Sequence, residues 1–384
     1  MEQMKKRSIA WLFLALLAPQ TAWALGGDQN PGLDKSIADH KILRVLKEQN
    51  FSSCHFHAPD VIFEQGAGIY WIAGTLGFFR FDENTNSLSS YKDHHFFAQV
   101  FPAEMVRDGG GDIWLGGVIH RDLRRLDEDT WKPVEVSPQL KRKVSVYSMA
   151  IDRSGVLWLA TDAGLLSHDR KGWGGLIIPP LAECKAYDQF WRRYPKEMEV
   201  MAAREGLFRK EASAHDDAAG QVLRARVTSE FREIAAGGGE LWIGAERGIF
   251  RMNLAANSWK VYPLPGELLD VSKAYRDRSD RMWFCDRGPN IAVYDPRSEK
   301  WDAFNLVKTF PEFSPDNINT IYQERRGTMW FGTIRGATLD PNGAWRFYSY
   351  KNSALPGYEV TVISEDQLGR IWMGTSDGIV MLAR

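Results

Sequence analysis

The chain has 384 residues, 44% hydrophobic and 25% charged, with a formal net charge of −1 at pH 7. That composition belongs to a globular protein long enough to bury a sizeable core. The near-neutral balance excludes nucleic acid or an acidic polymer as the main partner.

The first element is a secretion signal. A basic stretch, MEQMKKR, precedes the apolar run SIAWLFLALLAP, and Ala22-Trp23-Ala24 forms a small-residue cleavage site. The apolar run is too short for a bilayer, which needs roughly 20 residues. Residues 1–24 are therefore expected to be cleaved, leaving a mature chain from about Leu25. Removing Glu2, Lys5, Lys6 and Arg7 moves the net charge from −1 to −3. No second apolar run of that length follows, so the expected product is periplasmic and does not insert in a membrane.

From residue 59 onward the chain repeats itself. Aligned on tryptophan, IYWIAGTLGFF, DIWLGGVIHRDL, VLWLATDAGLL, ELWIGAERGIF, RMWFCDRGPNIA, TMWFGTIRGAT and RIWMGTSDGIV share one pattern. Their anchors are Trp71, Trp114, Trp158, Trp242, Trp283, Trp330 and Trp372, spaced by 43, 44, 84, 41, 47 and 42 residues. The long gap is twice 42, and EVMAAREGLFR offers a degenerate copy there, with Val200 at the anchor and Gly206 six residues later. That makes eight copies.

Glycine stands three residues before the anchor in six copies (Gly68, Gly111, Gly155, Gly239, Gly327, Gly369). It also stands six residues after it, except at His120 and Pro289. These glycines predict hairpin turns on either side of a short strand. Two residues after the anchor the side chain is always small: Ala73, Gly116, Ala160, Ala202, Gly244, Cys285, Gly332 and Gly374. An alternating third strand follows, and a fourth carries Trp131, Trp173, Trp259, Trp301 or Trp345.

Four antiparallel strands in about 42 residues is a propeller blade. A β-solenoid has shorter units and fits less well. The predicted fold is an all-β, eight-bladed propeller over 59–384, with seven blades as runner-up if the 170–235 copy is not a true blade. Residues 25–58 are expected to supply the outermost strand of the last blade and close the ring. PPLAECKAYDQFWRRYPKE reads as a loop or short helix.

The phrase D-x-x-G-x-[LI]-W-[ILMF]-[GA]-[TA]-x-x-G-[LI], as in DRSGVLWLATDAGLL and DQLGRIWMGTSDGIV, resembles the two-component regulator propeller repeat. The resemblance covers essentially all of 60–384. It implies a periplasmic sensor-type propeller, attached to a histidine kinase or standing alone. No kinase or DNA-binding part is legible in this chain, so signalling would need a separate receptor. Related repeats also occur in propeller lyases.

The variable letters of the repeat lie in the turn between second and third strands. There, with the starts of the innermost strands, one mouth of the propeller is expected. Arg121, Asp162, Arg204, Glu205, Glu246, Arg247, Arg287, Arg335 and Asp377 are the candidate ligand-binding rim, suited to a carboxylate-bearing, sugar or peptide ligand. A solvated charged loop rim is the competing reading.

His55, His57, His94 and His95 form two pairs without a third ligand, so no metal is expected. DGGGD (108–112) reads as a turn rather than a calcium loop. Nucleophile motifs are absent; His120 with Glu246 is the pair a lyase could use. Cys285 reads as a reduced packing residue, and Cys54 and Cys184 could bridge.

The expected function is a non-enzymatic, monomeric binding module without cofactor. It would recognise an unidentified periplasmic ligand or protein, or a membrane receptor, through one face. The alternatives are a lyase or hydrolase acting on a glycan or small cyclic substrate, and an immunity or assembly protein.

Overall fold

In a computed structural model, residues 36–37, 40–46, 58–74, 77–91, 102–117, 123–136, 144–192, 223, 227, 231–309, 317–333, 336–339, 345–348, 353 and 355–383 are described. The signal segment 1–24 lies outside them. Residues 34–384 form one compact unit.

Each of the seven tryptophan-anchored repeats becomes an antiparallel sheet. Six sheets are four-stranded, at 59–90, 102–134, 146–173, 231–263, 273–305 and 320–348, and are numbered here as blades one to six. A further sheet has five strands and joins the two ends of the chain. In it, His40–Leu46 runs antiparallel to Gly378–Ala383, with Lys41 opposite Ala383 and Leu46 opposite Ile379.

Among the described residues there are six four-stranded blades, not the eight or seven expected, and none of the six is built on the copy around Val200. Blades three and four pack directly on each other: Trp158, Ala160 and Leu165 share a core with Phe231, Ile234 and Leu241. No sheet fits between them. The helix Leu181–Arg192, which follows blade three, lies against the strand Ser258–Pro263 of blade four. Val200, Ala202 and Gly206 lie outside the described residues.

The cores lie between sheets rather than within them. Val61, Trp71 and Phe78 of blade one meet Met105, Leu115 and Trp131 of blade two. The same exchange recurs round to the five-stranded sheet, whose Trp372, Ile379 and Met381 meet Ile62, Tyr70 and Phe79 of blade one. The small residue after each anchor makes this approach possible. A methyl group at Gly244 would sit 2.2 Å from Val271 of the next blade, and one at Gly374 would sit 2.5 Å from Pro59 of blade one.

The aspartate that opens each D-x-x-G turn does more than turn the chain. Asp152 Oδ1 accepts from the backbone N of Ser154 and Val156, while Oδ2 accepts the indole N–H of Trp158 at 2.9 Å. Asp108 with Trp114, Asp277 with Trp283 and Asp366 with Trp372 repeat the clasp at 2.9 Å. Glu324 and Gln65 reach Trp330 and Trp71 in the same way. Six of the seven anchor tryptophans thus bury their rings and find an acceptor six residues back, as a buried indole requires; Trp242 instead donates to Glu240, two residues back, at 3.3 Å.

Candidate functional site

The innermost strand of each sheet runs along the central channel. In five of them the pairing register slips near the start, between Pro59 and Val61, Pro102 and Glu104, Val146 and Ser148, Phe231 and Glu233, and Val360 and Val362. Bulges of this kind re-aim side chains, and they recur beside functional sites. Just past each slip, and at the same place in the inner strands of blades five and six, which have none, stands the residue opposite the repeat's small position. Glu104 faces Gly116, Ser148 faces Ala160, Glu233 faces Gly244, Lys273 faces Cys285 and Thr320 faces Gly332. Val61 and Val362 complete this level.

Four of these side chains, from four different blades, make one hydrogen-bonded set. Ser148 Oγ lies 3.1 Å from Glu104 Oε2 and 3.1 Å from Glu233 Oε2, and it accepts from the backbone N of Ile234 at 3.2 Å. Lys273 Nζ reaches Glu233 Oε1 at 2.8 Å. A serine hydroxyl has a single hydrogen to donate. It can serve only one of the two carboxylates, so the other contact needs a carboxylic acid hydrogen pointing at Oγ. Glu233 faces Lys273 and keeps its charge. Glu104 Oε2 also accepts from the backbone N of Met149 at 2.8 Å, and of the two carboxyls it is Glu104, without the lysine contact, whose charged form is disfavoured.

The electrostatics agree. Burial and then the neighbouring Glu233 charge raise the Glu104 carboxyl to about 8. Glu233 in turn raises Lys273 above the usual lysine range, against the effect of burial. Asp60, at the start of the blade one inner strand, is raised to about 6, chiefly by burial. Asp60 is exposed and Lys273 half-buried, so both retain surface in contact with solvent.

Carboxyls held protonated in the fold weaken it as pH rises. Below about 4.5 Glu104 is protonated both folded and unfolded; between there and about 8 only the unfolded chain releases the proton, and stability declines. Lys273 keeps its contribution throughout this window and loses it only above the ordinary lysine range. Thermal melts should show Tm falling by several degrees between about pH 5 and 8, a drop roughly halved in Glu104→Gln. A flat profile would show that Glu104 is ionised.

The turn residues expected at the rim share this end of the strands but do not converge. Asp162 is half-buried, and its carboxylate accepts from the backbone N of Ser145 at the start of its own blade's inner strand. Glu246 is ion-paired to Arg232. Arg247 is only 6% exposed, and its backbone N donates to the Tyr187 hydroxyl of the helix Leu181–Arg192. The helix covers this turn, which sequence reading placed in solvent. Arg287 is exposed, with Nε 3.6 Å from Asp270. Asp377 is exposed and accepts from the Ser376 hydroxyl. Arg121, Arg204, Glu205 and Arg335 lie outside the described residues, as do Cys54, His55, His57, His94, His95 and His120.

Among the described residues no cluster of three or more His, Cys, Asp or Glu could hold a metal ion. No described helix is long and apolar enough to cross a membrane. Cys184 is buried with its thiol 3.6 Å from the Pro179 carbonyl. Cys285 is fully buried, and burial holds its thiol well above the ordinary range.

The channel level was nevertheless within reach of the sequence. Val61, Glu104, Ser148, Lys273, Thr320 and Val362 each stand ten residues before their anchor tryptophan, and Glu233 stands nine before Trp242. Reading that column across the copies collects V, E, S, E, K, T and V. Attention to the variable turn passed it by.

The family pattern described as two component regulator propeller matches residues 312–335 and 354–377, which include the E-x-x-G-x-x-W turn of blade six and the D-x-x-G-x-x-W turn of the five-stranded sheet. Those two stretches are two component regulator propeller repeats. Among solved structures it is similar to the extracellular domain of a putative hybrid two component system from B. thetaiotaomicron, with a TM-score of 0.62 and 15% identity. That match covers 88% of this chain but only 40% of the other. A catalytically inactive virginiamycin B lyase from Staphylococcus aureus, with quinupristin, gives 0.60 at 14% identity, covering 90% of this chain and 100% of the lyase. YCF48 bound to D1 peptide gives 0.58 at 11% identity, covering 92% and 99%. At such identities the likeness carries the fold alone. No curated protein matches the sequence.

Proposed function

We propose that this chain is a sensor-type binding module of the periplasm that takes a small hydroxylated ligand, of the sugar or amino-sugar class, into the mouth of its channel. One observation carries the reading: blades two, three, four and five each give one side chain to the Glu104–Ser148–Glu233–Lys273 set. Four blades converging there hold the groups rigidly, with donors and acceptors alternating. A polyol or amine can insert its own hydrogens between them, at little ordering cost. Because the set spans four successive blades, occupancy bears on how those blades lean together, which suits a module that reports a ligand to a separate receptor.

The set also contains no nucleophile with an adjacent free base: Ser148 lies between a protonated acid and a paired carboxylate. This supports binding over hydrolysis. The test is a thermal-shift panel of neutral disaccharides, amino sugars and sugar acids at neutral pH. A true ligand at about 100 times its Kd adds about 2.7 kcal/mol, a rise of several degrees for a domain of this size. The rise should vanish in Glu233→Gln and in Lys273→Met. A shift that survives both substitutions, or no shift from any member of the panel, would sink the reading.

A further inference from the structure

A second site sits at the other end of the same strands. A cleft of about 230 Å³ opens between blade one and the five-stranded sheet, lined by Phe63, Glu64, Arg107, Arg325 and Ser364 among others. Ser364 lies three residues beyond Thr361 on the same inner strand, and Glu64 four beyond Asp60. At about 3.3 Å per residue, the cleft is some 10–13 Å from the channel-mouth groups.

Two arginines reach it from the flanking blades, and both are fixed in the same manner. Arg107 of blade two donates to the carbonyls of Glu64 at 3.2 Å and Gln65 at 2.5 Å, with its guanidinium 5.8 Å from the centre of the Phe63 ring. Arg325 of blade six donates to the carbonyls of Asp366 at 2.9 Å and Gln367 at 3.0 Å. Its Nε faces Glu365 at 3.5 Å. A guanidinium has five N–H groups. The bonds of Arg107 to Gly111, Glu64 and Gln65 leave its Nε–H unused.

On the acceptor side, Glu64 Oε2 takes the backbone N of Gln367 at 2.6 Å, which leaves Oε1 open. The Ser364 hydroxyl has no protein partner among the described residues. The cleft thus offers an unused cationic donor, an unused anionic acceptor and a hydroxyl around the face of a phenyl ring. Other carboxylates beside it are already taken: Asp366 by Arg370 and Trp372, and Glu365 by Tyr322 and Arg325.

We infer that this cleft binds a small zwitterion, an α-amino acid with an apolar side chain. Its carboxylate meets Arg107 and Ser364, its ammonium meets Glu64 and its side chain lies on Phe63. A lone anion would leave Glu64 facing it, and a lone cation would face Arg107. Only a ligand carrying both charges satisfies both. The volume is below the roughly 300–1,000 Å³ of sites for drug-sized ligands, which suits a single metabolite. The site does not depend on the channel-mouth reading.

Calorimetric titration of the purified chain with L-phenylalanine, L-phenylalaninamide and 3-phenylpropionate tests it. Saturable 1:1 binding of phenylalanine is expected, with the amide and the acid each weaker by about tenfold or more, since each lacks one charge-assisted contact. Ser364→Ala, which removes no bond within the protein, should weaken binding about fivefold at unchanged Tm, and Arg107→Gln should abolish it. Glu233→Gln should leave it unaltered. Absence of saturable binding up to ~10 mM, or phenylpropionate binding as tightly as phenylalanine, would overturn the assignment.

Discussion

Replacing Asp366 by alanine is expected to remove about 3–5 kcal/mol of stability, a fall in Tm on the order of 10 °C. Its carboxylate is almost fully buried and serves five donors. Oδ1 accepts from the backbone N of Leu368 and Arg370, and Oδ2 accepts from Arg370 Nε, the Trp372 indole and the Tyr70 hydroxyl. Burial alone would raise this carboxyl, but the bonds from Trp372 and Arg370 outweigh it and hold the group below the usual range. Alanine leaves several buried donors unsatisfied, at about 1–3 kcal/mol each where no water reaches them. Arg370 retains its paired contacts with Glu83, which limits the loss. Asp366→Asn keeps the shape and should lose about half as much. Because the folded group titrates low, its contribution is complete above the ordinary aspartate range and disappears as pH falls through the folded value. Chemical denaturation of the three proteins at neutral and acidic pH checks both statements, and equal stability of Asp366→Ala and wild type would refute the clasp.

The second large effect comes from the small position. Gly244→Val should cost more than the ~1–3 kcal/mol usual for overpacking, because even a Cβ there would lie 2.2 Å from Val271 Cγ1 and 2.7 Å from its Cβ. Val271 is fully buried and β-branched, so it has no alternative rotamer to retreat into. The strand can only move away from blade five, carrying Glu233, its cross-strand partner, off Lys273. Gly175→Ala is the matched control, since nothing lies within 4 Å of a Cβ at that position. It should be neutral or slightly stabilising. Equal melting temperatures for the two variants would contradict the stacking role of the small residue.

The propeller was legible because its grammar is physical. Tryptophan, glycine and small residue recur at fixed offsets, and each answers a need of sheets that pack face to face. The blade number was not legible, because Trp158 and Trp242 stand 84 residues apart, the length of two repeats. Spacing alone cannot tell a blade from an insertion of equal length. The direct contact of Trp158 and Ala160 with Phe231 and Ile234 can.

The clasp between Asp152 and Trp158 was present in the repeat as D-x-x-G-x-x-W, yet the aspartate was read only as turn chemistry. The candidate site was harder. Arg247 stands in a variable, charged turn, which suggests solvent, but the helix Leu181–Arg192 buries it. Glu104, Ser148, Glu233 and Lys273 stand in strands that look like ordinary inner strands, and only the packing of blades two to five brings them together.

The most direct test is a crystal structure of the chain with whichever sugar or amino sugar raises its Tm. The ligand should lie in the channel mouth with oxygen or nitrogen atoms within about 2.6–3.2 Å of Glu233 and Lys273. A ligand seated instead on the outer turns at Asp162, Arg287 and Asp377, with the Glu104–Ser148–Glu233–Lys273 set undisturbed, would contradict it.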